Sequence, residues 1–310
     1  MTKLTIIGGG NLGGQVAFHA AANKIADKIV LIDIVEGLAA GKALDIKQAM
    51  PIIAEDINII GGTDYALCKS SDVIIITAGI ARRPGMTRED LLKTNAQIMM
   101  SIIPHIKEHA PQAKLIIVSN PVDAMVYLAY RLSGFEKEKV IGMAGLLDTA
   151  RFKTFIAEEL NAHVKEVDAM VLGSHGDLMV PLISKATVKG RPLKDIMQKD
   201  RIDAIVERTR KGGEEIVRLL KTGSAYFAPA CAAVEMADSV INNRFRVLPC
   251  LAYLDGEYGV KGLFAGVPVE LSRKGAVVQC MELDCDEEEQ FSESIRHIQK
   301  VVESLNKIII

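Results

Sequence analysis

The chain predicts a doubly wound parallel α/β sheet followed by an α+β unit, and three observations carry that expectation. The first half alternates short apolar runs with helical segments, the first run passes straight into a glycine-rich turn that opens a helix, and from about residue 146 long amphipathic helices take over. Runs that are apolar throughout, rather than alternating, belong to strands covered on both faces. Helices between them make the strands parallel, because a crossover is what returns the chain to the same end of a sheet. A length of 310 residues suits about two domains. The change of texture divides 1–145 from 146–310, with no Pro/Ser-rich linker at the boundary and no internal repeat.

Taken in order, the predicted strands of the first half are 3–8, 28–33, 56–60, 72–79, 114–120 and 139–145. They are rich in Ile, Val and Leu and end in or directly before Gly, Asp or Asn, as strands that stop in turns do. After the fourth strand, "TAGIARRPGMTRED" sets Arg82, Arg83 and Arg88 around a Pro-Gly turn. Its last four residues predict a capping box, with Thr87 at the N-cap and Asp90 as its partner. The stripe Leu92, Met99, Ile102 and Ile106 marks the buried face of the helix that follows, and extended backward it meets Asn95 and Arg88. In the second half, helices are expected at 147–160, 202–220 with a kink at Gly212-Gly213, 228–242 and 287–307. Strand-like pieces lie at 164–173, 182–190 and 245–259.

Composition bounds the function. With 49% apolar and 25% charged residues the chain is an ordinary globular protein, and a net charge of −2 supplies no basic face for nucleic acid or an anionic membrane. The first strand begins within two residues of Met1, which predicts no signal or transit peptide, and no apolar run reaches the ~18 residues of a membrane helix. Cys68, Cys231, Cys250, Cys280 and Cys285 are scattered without a CxxC pair, as expected of reduced thiols in a cytosol. No HExxH or Cys/His cluster suggests a metal, and no G-x-S-x-G suggests a serine nucleophile.

The turn after the first strand is Gly8-Gly9-Gly10-Asn11-Leu12-Gly13. In this G-x-G-x-x-G pattern Gly8 permits the tight turn, Gly10 the approach of a pyrophosphate and Gly13 the contact between helix and strand. The free N–H groups of a helix start suit phosphate. Asp33 ends the second strand twenty residues after Gly13, with no arginine in the "DIVEG" that it opens. A carboxylate there accepts the adenosine ribose hydroxyls and repels a 2′-phosphate, so NAD is favoured over NADP. The glycines alone would fit FAD or S-adenosylmethionine as well.

Ligands of open α/β sheets sit beyond the carboxyl ends of the strands. Asn120 occupies such an end, before Pro121. Asn95 and Arg88 are placed on a buried face, where a charge needs a partner or a ligand; for Arg88 a surface arginine at a helix start stays open as the other reading. Asp148 and Arg151 border the apolar face of Phe152, Phe155, Ile156 and Leu160, and the residues alone leave open a surface i,i+3 ion pair. Of six histidines, His19, His105, His109, His163 and His297 suit packing or surface roles, whereas His175 stands among small residues in "LGSHGDLMVP" at a strand end. An imidazole suits proton transfer at neutral pH, with Asp148 or the neighbouring Asp177 able to orient it.

Together "GGGNLGGQVA", "VLID", "ITAGIARRPGMTREDLL", "VSNPVD", "LDTARF" and "GSHGD" resemble the lactate/malate dehydrogenase family, in this order and over essentially the whole chain. The resemblance implies a Rossmann-type NAD-binding domain over 1–145 and an α+β catalytic domain over 146–310. It implies His175 as proton donor and acceptor, Asp148 as its orienting partner, and Arg151 as the two-pronged holder of the substrate's C1 carboxylate. Arg88 would polarise the reacting carbonyl, and Asn95 and Asn120 would help to position substrate and nicotinamide. The mobile loop 80–86 would close over the substrate, with Arg83 left as a solvated charge. Arg82 matches the position where lactate enzymes carry Gln and malate enzymes carry Arg, which implies a dicarboxylate, malate or oxaloacetate. Ala225 also follows the malate pattern, and a homodimer or homotetramer is implied. Lactate dehydrogenase, a non-catalytic NAD-sensing module and an NAD-dependent glycosidase are the competing readings.

Overall fold

The computed structural model describes residues 1–53, 55–81 and 85–308. In chain order the elements are β1 (Lys3–Ile7), α1 (Asn11–Ala22), β2 (Lys28–Ile32), α2 (Leu38–Ala49), β3 (Asn58–Gly62), β4 (Val73–Ile76), α3 (Arg88–His109), β5 (Lys114–Ile117), α4 (Val122–Ser133) and β6 (Val140–Gly142). They continue with α5 (Gly145–Leu160), β7 (Val167–Asp168), β8 (Val171–Gly173), β9 (Met179–Pro181), β10 (Thr187–Val188), β11 (Arg191–Pro192) and α6 (Leu193–Ile196). Last come α7 (Lys199–Leu220), α8 (Phe227–Ile241), β12 (Arg246–Asp255), β13 (Lys261–Ser272), β14 (Gly275–Val278) and α9 (Cys285–Ile308).

The first six strands are parallel in the order β3-β2-β1-β4-β5-β6, so the winding reverses between β1 and β4. A crevice forms at such a reversal because the chains leaving the two strands turn to opposite faces. Among the described residues the sheet continues through antiparallel β12, β13, β8 and β9, joined to the first half where Leu251 of β12 pairs with Gly142 of β6. Each central strand is apolar because helices cover both faces: Ile29 to Ile32, Val73 to Ile76 and Leu115 to Ile117 are all fully buried. Full burial of one such side chain is worth about 1.5–3 kcal/mol relative to exposure.

Five of the six strands end earlier than predicted on their carboxyl side, β3 instead running on to Gly62, and the early ends of β4 and β5 release Thr77 to Gly79 and Ser119 to Pro121 as turns at the crevice. In the second half the expected 164–173 strand divides into β7 and β8, only Thr187–Val188 of 182–190 is extended, and β9, β13 and β14 were not anticipated. The predicted kink in α7 is absent, since one helix runs unbroken through Gly212-Gly213. These glycines have another use. A Cβ at Gly212 would stand 3.1 Å from Cδ of Arg151, so the missing side chain lets that arginine lie against the helix. The Ala-rich α8 is mostly buried within the chain, packed on α1 and the sheet, and forms core here.

Candidate active site

The glycine turn is shaped by contacts that tolerate no side chain at two positions. Gly8 has φ +111°, in the region that glycine alone enters freely, and a Cβ on Gly13 would fall 1.7 Å from the carbonyl oxygen of Gly8. Thr77, at the end of β4, donates its hydroxyl to that same oxygen at 3.0 Å. Asp33 lies beyond β2 and accepts the Gly9 N–H at 2.6 Å and the Val35 N–H at 2.9 Å. Lys42 of α2 reaches the Gly10 carbonyl oxygen at 2.8 Å. Gly10 is the N-cap of α1, no side chain caps the helix, and a Cβ on Gly10 would meet nothing within 4 Å. Uncapped N–H groups, a carboxylate beside them and open space above describe a cradle for a dinucleotide's phosphates and ribose. Asn11, the first residue of α1, is exposed beside it.

The turns leaving β4 and β5 are tied together by Asn95, which is buried as the stripe on α3 predicted. Its amide accepts the Ile80 N–H at 2.8 Å and donates to the carbonyl oxygens of Ile80 at 3.1 Å and Asn120 at 2.6 Å. Asn95 therefore spends its amide on backbone, tying the turn at Ile80 to the turn at Asn120. Asn120 itself is exposed, and its bond to Pro121 is cis.

A second cluster stands where α5 begins. Asp148, in the first turn of that helix and with a side chain only 2% exposed, accepts hydrogen bonds from His175 Nδ1 at 2.9 Å and from Arg151 Nη1 at 3.1 Å. Of the two carboxylates the sequence offered as partners, Asp148 and Asp177, the ring engages Asp148. Because an ionised carboxylate only accepts, Nδ1 carries the proton and Nε2 is left to exchange one. Burial pulls the His175 pKa down, but the charge and hydrogen bond of Asp148, with the charge of Asp123, outweigh it and raise the value above the ordinary 6.5. Arg151 is mostly buried, and its Nε has no hydrogen-bond partner among the described residues. A buried, unsatisfied guanidinium N–H is the donor that a carboxylate ligand would engage.

Arg88 departs from its inward placement. It caps no core: its side chain is 73% exposed and pairs with Asp177 at 3.3 Å. The reason lies in the helix start, where Thr87 and Asp90 form the expected capping box and residues 87–90 are all exposed, so that burial begins only at Leu91. The apolar stripe loses its meaning where nothing packs on it. The pair nonetheless links α3 to the loop between β8 and β9 that carries His175. Arg82 and Arg83 lie outside the described residues.

Two contributors were missed. Asp123, in "VSNPVD", accepts the backbone N–H of His175 at 3.3 Å. Its sequence signal was an acidic residue in the otherwise apolar start of α4, "VDAMV". Ser294 of α9 holds the same loop from behind, accepting the Ser174 N–H at 2.7 Å. A serine on an amphipathic helix offers no comparable signal.

Residues 2–142 match the family described as lactate/malate dehydrogenase, NAD binding domain, and residues 146–308 match lactate/malate dehydrogenase, alpha/beta C-terminal domain. A malate dehydrogenase of Chloroherpeton thalassium is 47% identical over 309 residues, 99% of each chain. The apo malate dehydrogenase of Picrophilus torridus superimposes with a TM-score of 0.96 at 42% identity, covering 99% of this chain and 98% of that one. The lactate dehydrogenase of Cryptosporidium parvum, solved with lactic acid and nicotinamide adenine dinucleotide, gives a TM-score of 0.95 at 40% identity over 98% of each.

Proposed function

The chain belongs to the lactate/malate dehydrogenase family, and from that premise we infer that it catalyses the reversible NAD-dependent oxidation of malate to oxaloacetate. The observation that carries the reading is the row Arg151–Asp148–His175, in which one buried carboxylate orients both a proton-exchanging ring and a carboxylate-binding cation. The division of labour follows the two matched regions, with 1–145 holding the cofactor and lending Arg82, Arg88 and Asn120 to the substrate, and 146–310 supplying His175, Asp148 and Arg151, although one sheet runs through both.

The residues of the glycine turn fit NAD, since Gly8, Gly10, Asn11 and Gly13 leave a bare helix start and Asp33 offers carboxylate oxygens beside it. NAD, when bound, exchanges a hydride with C2 of the substrate. Arg151 binds the C1 carboxylate through its unused N–H groups, which fixes C2 relative to His175. Arg82 pairs with the second carboxylate, and this selects a four-carbon diacid over pyruvate. Arg88 leaves Asp177 to polarise the reacting oxygen, and Asn120 helps to fix the nicotinamide and substrate. His175 donates the proton from Nε2 when oxaloacetate is reduced and removes it when malate is oxidised, while Asp148 stabilises the charged ring. The enzyme works in the cytoplasm as a homodimer or homotetramer; within the described residues no helix is long and apolar enough to cross a membrane.

Oxidation of NADH with oxaloacetate and with pyruvate at equal concentration tests the reading. Oxaloacetate should be consumed and pyruvate barely touched, whereas comparable or faster use of pyruvate would make the chain a lactate dehydrogenase.

The pH profile checks the acid–base assignment. Malate oxidation needs neutral His175, so its kcat/KM should fall as the pH drops through a value above the ordinary 6.5, because the folded value is raised. Oxaloacetate reduction needs the protonated ring and should fall as the pH rises through the corresponding value. Parallel profiles in the two directions would remove His175 from the role.

A further inference from the structure

Asp123 is 6% exposed, in the first turn of α4 two residues after Pro121. One oxygen, Oδ2, accepts the His175 N–H at 3.3 Å, and the other, Oδ1, is buried with no hydrogen-bond partner among the described residues. Holding a single N–H requires only a carbonyl oxygen, which an asparagine supplies without charge. A carboxylate kept in the interior with one oxygen unsatisfied costs the fold stability. The charge therefore calls for a recipient, and the ring of His175 is the group beside it.

The charges around that ring can be counted by element. From α5 it faces Asp148, which bonds Nδ1, and Arg151, and from α4 it faces Asp123. Around Asp123 the charged groups are His175 and Asp148. With both carboxylates ionised and Arg151 positive, this cluster is neutral only when His175 carries its second proton. Without Asp123 the same cluster would be neutral with an uncharged ring. We propose that Asp123 is a positioning residue for His175: its carboxylate fixes the backbone of the histidine loop, and its negative charge favours the protonated ring.

The titration behaviour agrees with this geometry. Burial pushes Asp123 up to about 6, while the charge and backbone N–H of His175 pull it the other way. Asp123 is thus ionised through the neutral range, where its charge acts on the ring. The two groups titrate as a coupled pair.

The inference rests on His175 being the acid–base group, and its test reads the ring directly. NMR of isotopically labelled histidine gives the His175 titration in wild type and in Asp123→Asn, and the pH profile of malate oxidation is taken on the same samples. Asp123→Asn keeps an acceptor for the N–H and should bind NADH as wild type does. Its His175 should titrate at lower pH, and the acid limb of malate oxidation should move the same way. Asp123→Ser, neutral and too short to reach the N–H, should show that shift together with a loss of kcat of about tenfold or more, and it carries the test if the asparagine variant does not fold. A His175 titration unchanged from wild type in either folded variant overturns the proposal. Absence of malate oxidation in wild type would instead overturn the functional reading and leave the titration result standing.

Discussion

Asparagine in place of His175 is expected to lower kcat in both directions by about a hundredfold to ten-thousandfold, the range for removing a positioned general acid–base group. The loss arises because an amide can donate to Asp148 as the ring does yet cannot exchange a proton at neutral pH. Folding should survive the change, since Asp148 keeps its ion pair with Arg151 at 3.1 Å and is not left as a lone buried charge. The dinucleotide cradle is built from β1, α1 and β2, on the other side of the chain boundary, so NADH affinity should stay within a few-fold of wild type. Steady-state kcat together with NADH fluorescence titration separates the two effects. A variant that keeps kcat within a factor of a few would show that another group moves the proton.

Substituting Arg82→Gln should shift preference from oxaloacetate toward pyruvate, changing the ratio of the two kcat/KM values by roughly a thousandfold or more. Sealing a guanidinium away from water without an anion is costly, so on this proposal wild type should penalise pyruvate, whose methyl group offers it nothing. Glutamine removes the penalty because it carries no charge to strand, and it removes the partner of the second carboxylate as well. Both changes act in the same direction on the ratio. Measuring each substrate in both proteins decides the matter, and a ratio that does not move would locate specificity outside this residue.

Much of the first half could be read directly, because parallel strands covered on both faces advertise themselves as uninterrupted Ile/Val/Leu runs, and because Gly13 and Asp33 sit at a spacing imposed by one βαβ unit. The histidine loop was visible for a different reason: an imidazole flanked by small residues at a strand end has room to reach a ligand. Hidden features were those set by distant partners. β13 carries Gly262, Gly266 and Pro268, which speak against a strand, yet Pro268 is the register partner of Pro249, so the two missing donors fall on one rung. Gly266 lets the strand approach β8, where a Cβ would stand 2.4 Å from the Gly173 carbonyl oxygen. The exposure of Arg88 depends on where along α3 tertiary packing begins, which is at Leu91. The link from Asp123 to His175 spans 52 residues, beyond any local pattern.

The pairing of Leu251 with Gly142 makes the last strand of the first half an interior strand of the whole. A fragment ending at the boundary near 145 would bare that strand's N–H and C=O groups along a new apolar edge, inviting strand addition from other copies. The two halves accordingly have a common fate on denaturation: they should melt in a single transition, and neither serves as an independent folding unit.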